Sequence, residues 1–144
     1  MPFPRRPALH GVVESILYVD DVPRATAFYG DALGCRCLAG DGQRFQALDA
    51  GGHGVLLLFQ RGGTLAPQVV ASGGVIPPHD GSGPHHIAFA IDAATYDEWC
   101  AQLAAHGIAI ESETQWERGG RSLYFRDPDR HLVELVTPGI WPNY

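Results

Sequence analysis

The stretch RSLYFRDPDRHLVELVTP, residues 121–138, decides the fold. Apolar and polar residues alternate on both sides of Asp127-Pro128-Asp129, as they do in two antiparallel strands joined by a tight turn. Proline presets one backbone angle of such a turn, and aspartate caps the neighbouring backbone groups. The stretch therefore predicts a β-hairpin.

Glu134 is the anomalous residue of this hairpin. Period-two geometry places Val133 and Leu135 on one face of the second strand, and it places Glu134 on the other face between Leu132 and Val136. A carboxylate buried among such residues is costly unless a positive group meets it. The strand itself has no Lys or Arg. Two interpretations are open: the face is exposed to water, or a cation such as a metal ion meets Glu134.

The composition indicates one soluble globular domain, residues 1–144. Apolar residues make up 45% of the chain and charged residues 18%, which is ordinary for a folded domain of this length. No apolar run reaches membrane-spanning length, so no membrane association is expected. The first residues, MPFPRRPALHG, lack the apolar stretch of a secretory signal. A cytoplasmic location is expected by default.

Charge and cysteine content exclude further classes. The formal net charge is −6, and the basic residues are scattered, so nucleic acid is not an expected partner. The three cysteines match neither a redox motif nor zinc-finger spacing, since one residue separates Cys35 from Cys37. We expect reduced, mostly buried thiols.

The first half of the chain reads as a strand, a helix and three short strands. Residues 11–20 alternate so that Glu14 shares a face with Ile16 and Tyr18. Asp21 can cap a helix that runs to about Leu33, where Gly34 ends it. Strands follow at residues 35–38, 44–49 and 55–59. We assign a first module to about residues 10–60.

Residues 60–83 are rich in glycine and proline. A segment of this length without regular structure is usually a linker or a loop over a functional site. His79 is its only histidine, and it either reaches a ligand or is an ordinary surface residue.

The second half repeats the order of the first, over about residues 84–138. A strand at residues 84–92 carries His86 opposite Ile87, and residues 93–106 have helical spacing that Gly107 ends. A strand is predicted at 108–111 and a loop with Trp116 at 113–120, before the hairpin. His85 points away from His86 and is predicted to be structural. Solvent exposure is predicted for His10, His53, His106 and His131.

Superposing the halves pairs the charged residues. Strand 55–59 coincides with strand 132–136, at an offset of 77, and the first strands coincide at an offset of 72 (86 − 14 = 72 and 134 − 57 = 77). Glu14 then coincides with His86, and Leu57 with Glu134. Three of four equivalent positions therefore carry residues that can bind a metal.

These patterns predict an α+β fold of two βαβββ modules. The modules would form a curved mixed sheet around a central cavity, with the helices outside. Glu14, His86 and Glu134 would converge in that cavity. One imidazole and two carboxylates suit a divalent cation such as Mn, Fe, Ni, Co or Zn.

The chain resembles the vicinal oxygen chelate superfamily over nearly its whole length. The stretches that carry the resemblance are VESILYVDDVPRATAFYGDALG, HHIAFAID and SLYFRDPDRHLVELVTP. The superfamily includes glyoxalase I, fosfomycin resistance enzymes, extradiol dioxygenases and bleomycin-binding proteins. By this resemblance Glu14, His86 and Glu134 lie at the family's metal positions. Leu57 stands where the glyoxalase I pattern has a fourth ligand.

The resemblance implies that a divalent metal binds two neighbouring oxygens of a small-molecule substrate. Glu14 or Glu134 could also transfer protons. The expected substrate-binding residues are aromatic or imidazole side chains, which favours a neutral or aromatic substrate: Tyr18, Phe59, His79, Trp116 and Tyr124.

Three functions follow from the resemblance. The first is a metal-dependent glyoxalase-like lyase or isomerase. The second is an Fe(II) extradiol-type dioxygenase, which is disfavoured because the iron triad of that class has two histidines and one carboxylate. A further enzyme reaction of the family, fosfomycin-type thiol transfer, is also disfavoured, because an anionic phosphonate needs a cationic pocket. The third is a metal-free protein that sequesters a drug or metabolite. A homodimer is expected, and the modules could pair within one chain or across two.

Overall fold

The chain forms ten strands and two helices, as described by a computed structural model over residues 5–144. The leader interpreted above as non-secretory includes residues 1–4, which lie outside the described residues. The helices are α1 (Val22–Leu33) and α2 (Tyr96–Ala105), the latter preceded by a short 3-10 turn at Ala93–Thr95. The strands are β1 (Glu14–Val19), β2 (Arg36–Gly40), β3 (Phe45–Asp49), β4 (Val55–Gln60), β5 (Gln68–Val69), β6 (Val75–Ile76), β7 (His86–Ala90), β8 (Ser112–Gln115), β9 (Arg121–Arg126) and β10 (Leu132–Val136).

The longer strands form two four-stranded mixed sheets, and the predicted α+β fold of two βαβββ modules is confirmed. The first sheet has the order β1-β4-β3-β2, and the second has the equivalent order β7-β10-β9-β8. In each sheet the first pair is parallel and the other pairs are antiparallel. The strands β1 and β7 each pair on one side only, so each leaves an open edge.

Strand register reproduces the internal repeat found in the sequence. In the first sheet Ile16 lies opposite Leu57, and in the second Ala88 lies opposite Glu134. These pairs differ by 72 and 77 positions (88 − 16 = 72 and 134 − 57 = 77). The pairing of Leu57 with Glu134 as equivalent positions therefore holds in the backbone.

Helix α1 begins and ends where the sequence predicts. The Asp21 side chain accepts a hydrogen bond from the backbone N–H of Arg24, which caps the first turn. Gly34 adopts φ = 75°, a left-handed conformation that favours glycine, and its N–H bonds back to the last turn. The helix thereby returns the chain to β2 in the same sheet.

Helix α1 packs against both sheets. Tyr29, which is fully buried, lies 6.4 Å from Phe89 between ring centroids, and Phe28 lies 6.3 Å from Phe125. The two modules of one chain thus share a single core, to which both sheets contribute their Leu and Val faces. We call the opposite face of each sheet its open face, because no helix of the described residues packs on it; it carries Tyr18 and Phe59 in the first sheet and Tyr124 and the buried Glu134 in the second.

Several local predictions differ from the structure, among them the loop predicted at 113–120, whose first residues belong to β8. Residues 108–111 do not form a strand; Ile108 and Ile110 pack on the core, and the ladder with β9 begins only at Ser112, opposite Tyr124. The 60–83 segment contains the β5–β6 hairpin rather than irregular structure alone. Cys37 is exposed, contrary to the expectation of mostly buried thiols, although all three cysteines are free as predicted.

His131 was predicted to face solvent, and this is wrong. Its side chain is fully buried. Its Nδ1 accepts from the N–H of His85 at 2.7 Å, and its Nε2 lies 2.8 Å from the carbonyl of Tyr18. Because a carbonyl only accepts, Nε2 carries the proton. His131 therefore joins the β9–β10 turn to β1 and to the start of β7.

None of the helices in residues 5–144 has the length and apolar character needed to cross a membrane.

Candidate metal centre and substrate half-sites

The open face of the second sheet brings His86 and Glu134 together. Strand alternation puts Val133 and Leu135 into the core and turns Glu134 to the other face, as the sequence predicted. The parallel register of β7 and β10 sets Leu132 opposite His86. The Glu134 Oε1 atom then lies 3.2 Å from Nε2 of His86.

The hydrogen bonds of His86 decide what this contact means. Its Nδ1 lies 3.0 Å from the carbonyl oxygen of Leu132, so Nδ1 carries the proton. In the neutral imidazole, Nε2 then has a lone pair that faces the Glu134 carboxylate. Two acceptors at 3.2 Å are stable only when a cation, either a proton or a metal ion, lies with them. A proton on His86 satisfies the contact as an ion pair, and the same imidazole nitrogen and carboxylate oxygen are atoms that a divalent metal binds.

The buried position of Glu134 strengthens this conclusion. Its side chain is 5% exposed, whereas that of His86 is 51% exposed. A carboxylate removed from water requires compensation. Its second oxygen, Oε2, accepts a hydrogen bond from the Ser122 hydroxyl at 2.5 Å. The predicted alternative of a water-exposed face is wrong for Glu134.

Tyr124 lies beside this pair, and Trp116 reaches it through Ser122; their predicted role as substrate-binding residues stays a prediction. Tyr124 lies opposite Glu134 on β9, and its ring centroid is 6.3 Å from that of His86. Burial raises the pKa of the Tyr124 phenol, and the charge of Glu134 adds to the rise. The phenol is therefore a proton donor at neutral pH. The Trp116 indole N–H donates to Ser122 at 2.8 Å.

The open face of the first sheet holds a second group of predicted residues: Tyr18, Phe59 and His79. The Tyr18 hydroxyl lies 2.6 Å from Nδ1 of His79. The Phe59 ring meets the imidazole edge-on at 4.9 Å between centroids and stacks on Phe45 at 5.5 Å. Burial, followed by the charge of Asp80, raises the pKa of the Tyr18 phenol. These groups form an aromatic wall that bears one imidazole.

The segment between the modules closes over this wall. The His79 N–H donates to the Thr64 carbonyl at 3.0 Å, and the Gly62 N–H donates to Asp80 at 3.2 Å. Gly81 lies directly on the Tyr18 ring, so a Cβ atom there would overlap it. Residues 60–83 were predicted to be either a linker or a loop over a functional site; the contact of Gly81 with Tyr18 favours the second interpretation, which stays a prediction.

Replacing Gly81 with alanine should detach this loop from Tyr18. A Cβ atom at position 81 would collide with the Tyr18 ring, so either the ring or the loop must move. We expect faster amide hydrogen exchange across residues 77–83. Gly74→Ala is the matched control, because a Cβ atom there makes only ordinary contacts. Unchanged exchange in Gly81→Ala would contradict the packing of this loop on Tyr18.

Glu14 is not brought to His86 and Glu134 within one chain. It is exposed at the first position of β1. Among residues 5–144, no three His, Cys, Asp or Glu side chains gather closely enough to hold a metal ion. The predicted convergence of the three residues around one ion therefore stays a prediction, and within a single chain only two of them meet.

The predicted site residues of one chain form two groups, which we call half-sites. The first consists of Tyr18 and Phe59 of the first sheet with His79 of the loop, and the second of His86, Tyr124 and Glu134 of the second sheet with Trp116 of the β8–β9 turn. A cavity of about 400 Å³ lies on the helical side, between the end of α1 and Trp99 of α2. It contains none of the predicted site residues.

Ser122 is the functional candidate that the sequence analysis missed. It is fully buried and lies on the same face of β9 as Tyr124. The hairpin register would have located it, since Tyr124 pairs with Glu134 and Ser122 pairs with Val136, two positions along. The signal in the sequence was therefore the Ser122 hydroxyl, which the register places near the Glu134 carboxylate.

The chain belongs to the Glyoxalase/Bleomycin resistance protein/Dioxygenase superfamily, whose profile matches residues 9–135. The resemblance found in the sequence is thereby confirmed.

Individual relatives refine the comparison. A lactoylglutathione lyase from Agrobacterium tumefaciens is 30% identical, with a TM-score of 0.82 over 93% of this chain and 98% of that one. The fosfomycin resistance protein FosX of Listeria innocua is 44% identical over 52 residues, 35% of this chain and 39% of that protein. The metallothiol transferase FosB of Shouchella clausii is 43% identical over 54 residues, 36% of this chain and 37% of that protein. The match thus spans about two fifths of these curated relatives.

Proposed function

We propose that this protein is a metal-dependent, glyoxalase-like lyase or isomerase that acts on a small neutral or aromatic substrate with two neighbouring oxygens. The metal would be held by His86 and Glu134 of one chain and by Glu14 of a second copy. The observation that carries this proposal is the 3.2 Å approach of His86 Nε2 to a buried carboxylate, a pair of donor atoms that a metal ion can bridge.

A second copy supplies what one chain lacks. Glu14 is exposed on an open sheet edge, and no ion-pair partner for it lies among residues 5–144. Apolar side chains beside it are also exposed, with Val12 at 83%, Val13 at 69% and Leu9 at 98%. Such a surface favours a protein partner. A homodimer that covers it would bring Glu14 towards the other chain's half-site.

The donor set of one imidazole and two carboxylates suits Mn, Fe, Ni, Co or Zn. When bound, the ion supplies positive charge that stabilises negative charge developing on the substrate oxygens. Ser122 fixes Glu134 through Oε2, which favours Glu134 as a ligand. Glu14 has no such restraint and is the better candidate for the base, its carboxylate taking a proton from the carbon beside a substrate carbonyl and returning it to the neighbouring carbon.

The walls of the two half-sites favour a neutral substrate. The aromatic groups Tyr18, Phe59 and Tyr124 offer apolar surface with phenol donors. The cation on the open face of β9, Arg126, is already bound by Glu111 at 2.8 Å. Arg61, near the loop, pairs with Asp20 at 3.0 Å. Carboxylates thus neutralise two of the cations near these walls, whereas Arg44, beside Phe59 and His79, is bound by the neutral Gln68 and Gly63 groups.

Chemistry on fosfomycin, an anionic epoxide, is the second candidate. The matches to FosX and FosB favour it. The pairing of Arg126 and Arg61 with carboxylates argues against it, because a phosphonate would need those cations. The Fe(II) dioxygenase alternative remains disfavoured, because that class uses two histidines and one carboxylate, whereas the proposed site has one histidine and two carboxylates.

Metal analysis tests the proposal. Protein purified without chelator or affinity tag should contain one metal ion per chain, and Glu134→Ala protein should contain almost none, because a ligand is lost. Glu98→Ala, which removes an exposed carboxylate from α2, is the matched control and should retain the metal. Metal-free wild-type protein that still binds small aromatic molecules would overturn the proposal in favour of a sequestering protein.

Activity assays then separate the reactions. Turnover of a hemithioacetal with Ni or Mn is expected. Thiol addition to fosfomycin would support the second candidate, and oxygen consumption with catechols and Fe(II) would support a dioxygenase.

A further inference from the structure

We propose that Trp116 and Ser122 are positioning residues that hold the Glu134 carboxylate in its metal-binding orientation. This inference rests on the proposed function and deepens it, since neither residue is a metal ligand. It also changes the role predicted for Trp116, from a substrate wall to a support for a ligand.

The direction of each hydrogen bond is fixed by chemistry. An indole N–H only donates, so Trp116 Nε1 donates to Ser122 Oγ across 2.8 Å. The serine hydroxyl proton is then free to point away from Trp116. It donates to Glu134 Oε2 across 2.5 Å. The chain of donors therefore ends on the carboxylate.

This series of hydrogen bonds gives the two oxygens of the Glu134 carboxylate different roles. Oε2 accepts from Ser122, and Oε1 faces Nε2 of His86 at 3.2 Å. Rotation of the carboxylate would break one or both contacts. Ser122 is fully buried and Glu134 is 4% exposed, so water is not available to replace the hydroxyl. Ser122 thus presents Oε1 to the position shared with His86.

Trp116 is itself anchored from outside the sheet. Its backbone N–H donates to the Gly120 carbonyl at 2.7 Å, and its carbonyl accepts from Gly119 at 2.9 Å. The Gly120 N–H in turn donates to the Gly139 carbonyl at 3.1 Å. A Cβ atom at Gly120 would overlap the Gly139 backbone, so the two segments cross in close contact. The backbone of Trp116 is therefore held in place, and from it the indole N–H reaches Ser122.

Titration of metal-free protein with Ni²⁺ or Mn²⁺ tests the role of Ser122. Hydrogen-bond partners of metal ligands typically contribute about 10- to 100-fold in metal affinity, and we expect a rise in Kd of that size in Ser122→Ala. Trp116→Phe keeps an aromatic side chain and removes the N–H, so it should weaken binding in the same direction by a smaller factor. Thermal unfolding of the metal-free variants reports whether they fold.

Tryptophan fluorescence gives a second readout. A purely structural role of Ser122 would not link metal binding to the emission of Trp116. The chain has three tryptophans, and Trp99→Phe with Trp141→Phe leaves Trp116 as the only emitter. Metal binding to that variant should change the emission of Trp116, since its N–H is linked through Ser122 to the ligand. Adding Ser122→Ala should remove most of the change although the metal still binds at saturation.

The outcomes separate this inference from the proposed function. Metal affinity that is unchanged in Trp116→Phe and in any folded Ser122→Ala protein would overturn the inference alone. Weaker binding in Trp116→Phe supports it even if Ser122→Ala fails to fold. Wild-type protein that takes up no metal would overturn the proposed function and the inference together.

Discussion

Mixing a Glu14→Ala variant with a Glu134→Ala variant should restore metal sites that neither variant forms alone. Each variant lacks one ligand of every site, because both chains of its dimer carry the same change. A mixed dimer in which the site is shared has one site with both substitutions and one with neither. Random exchange of subunits makes half of the dimers mixed, so about a quarter of the sites are intact.

The measurement is metal content and activity after the two proteins are mixed under conditions that allow subunit exchange. Mixing His86→Ala with Glu134→Ala is the matched control. Those two residues lie in the same half-site, 3.2 Å apart, so that mixture should recover nothing. Recovery in the control, or none with Glu14→Ala, would contradict a site shared in this way between two chains.

The fold was largely predictable because local chemistry repeats in both halves. Asp21 and Gly34 fix the ends of α1 through side-chain capping and a left-handed backbone. The Asp127-Pro128-Asp129 turn sets the register of β9 and β10, and that register places Glu134 beside Tyr124. The position of His86 follows from the parallel pairing of β7 with β10. These relations involve near neighbours or alternation, which a sequence reports directly.

The remaining features depend on contacts between distant residues. The burial of His131 depends on its contacts with the N–H of His85 and the carbonyl of Tyr18, and a turn position alone cannot reveal them. The role of Ser122 depends on its hydrogen bond with Trp116, which forms only when the loop that carries Trp116 folds onto β9. Within one chain Glu14 does not join His86 and Glu134, so the convergence of these three residues stays a prediction. Its prediction used the symmetry of the modules and assumed that they pair within one cavity.

Replacing Asp127 with alanine should produce the largest loss of stability among single polar substitutions. Its carboxylate accepts from the Tyr29 hydroxyl at 2.7 Å and from the N–H groups of Asp129 and His131, each at 2.9 Å. Burial, reinforced by Asp127, raises the pKa of Tyr29 well above its usual range, so the phenol remains a donor. Without Asp127 this fully buried hydroxyl loses its acceptor.

We expect the free energy of unfolding to fall by about 3 kcal/mol, because several hydrogen bonds to a charged group are lost and a buried donor remains. Urea denaturation followed by circular dichroism measures the change. Asp31→Ala is the control, since Asp31 is exposed and has no ion pair among the described residues. A loss in Asp127→Ala no larger than in the control would contradict the assigned role.

A double variant isolates the contact between the two modules. Tyr29→Phe removes the hydroxyl and leaves Asp127 with its two backbone donors. In Asp127→Ala with Tyr29→Phe, no orphaned hydroxyl remains, so the double variant should be less destabilised than the sum of the single ones. We expect a coupling of about 1 to 2 kcal/mol. Additive losses would mean that α1 and the β9–β10 turn are held together by apolar packing, with little contribution from this hydrogen bond.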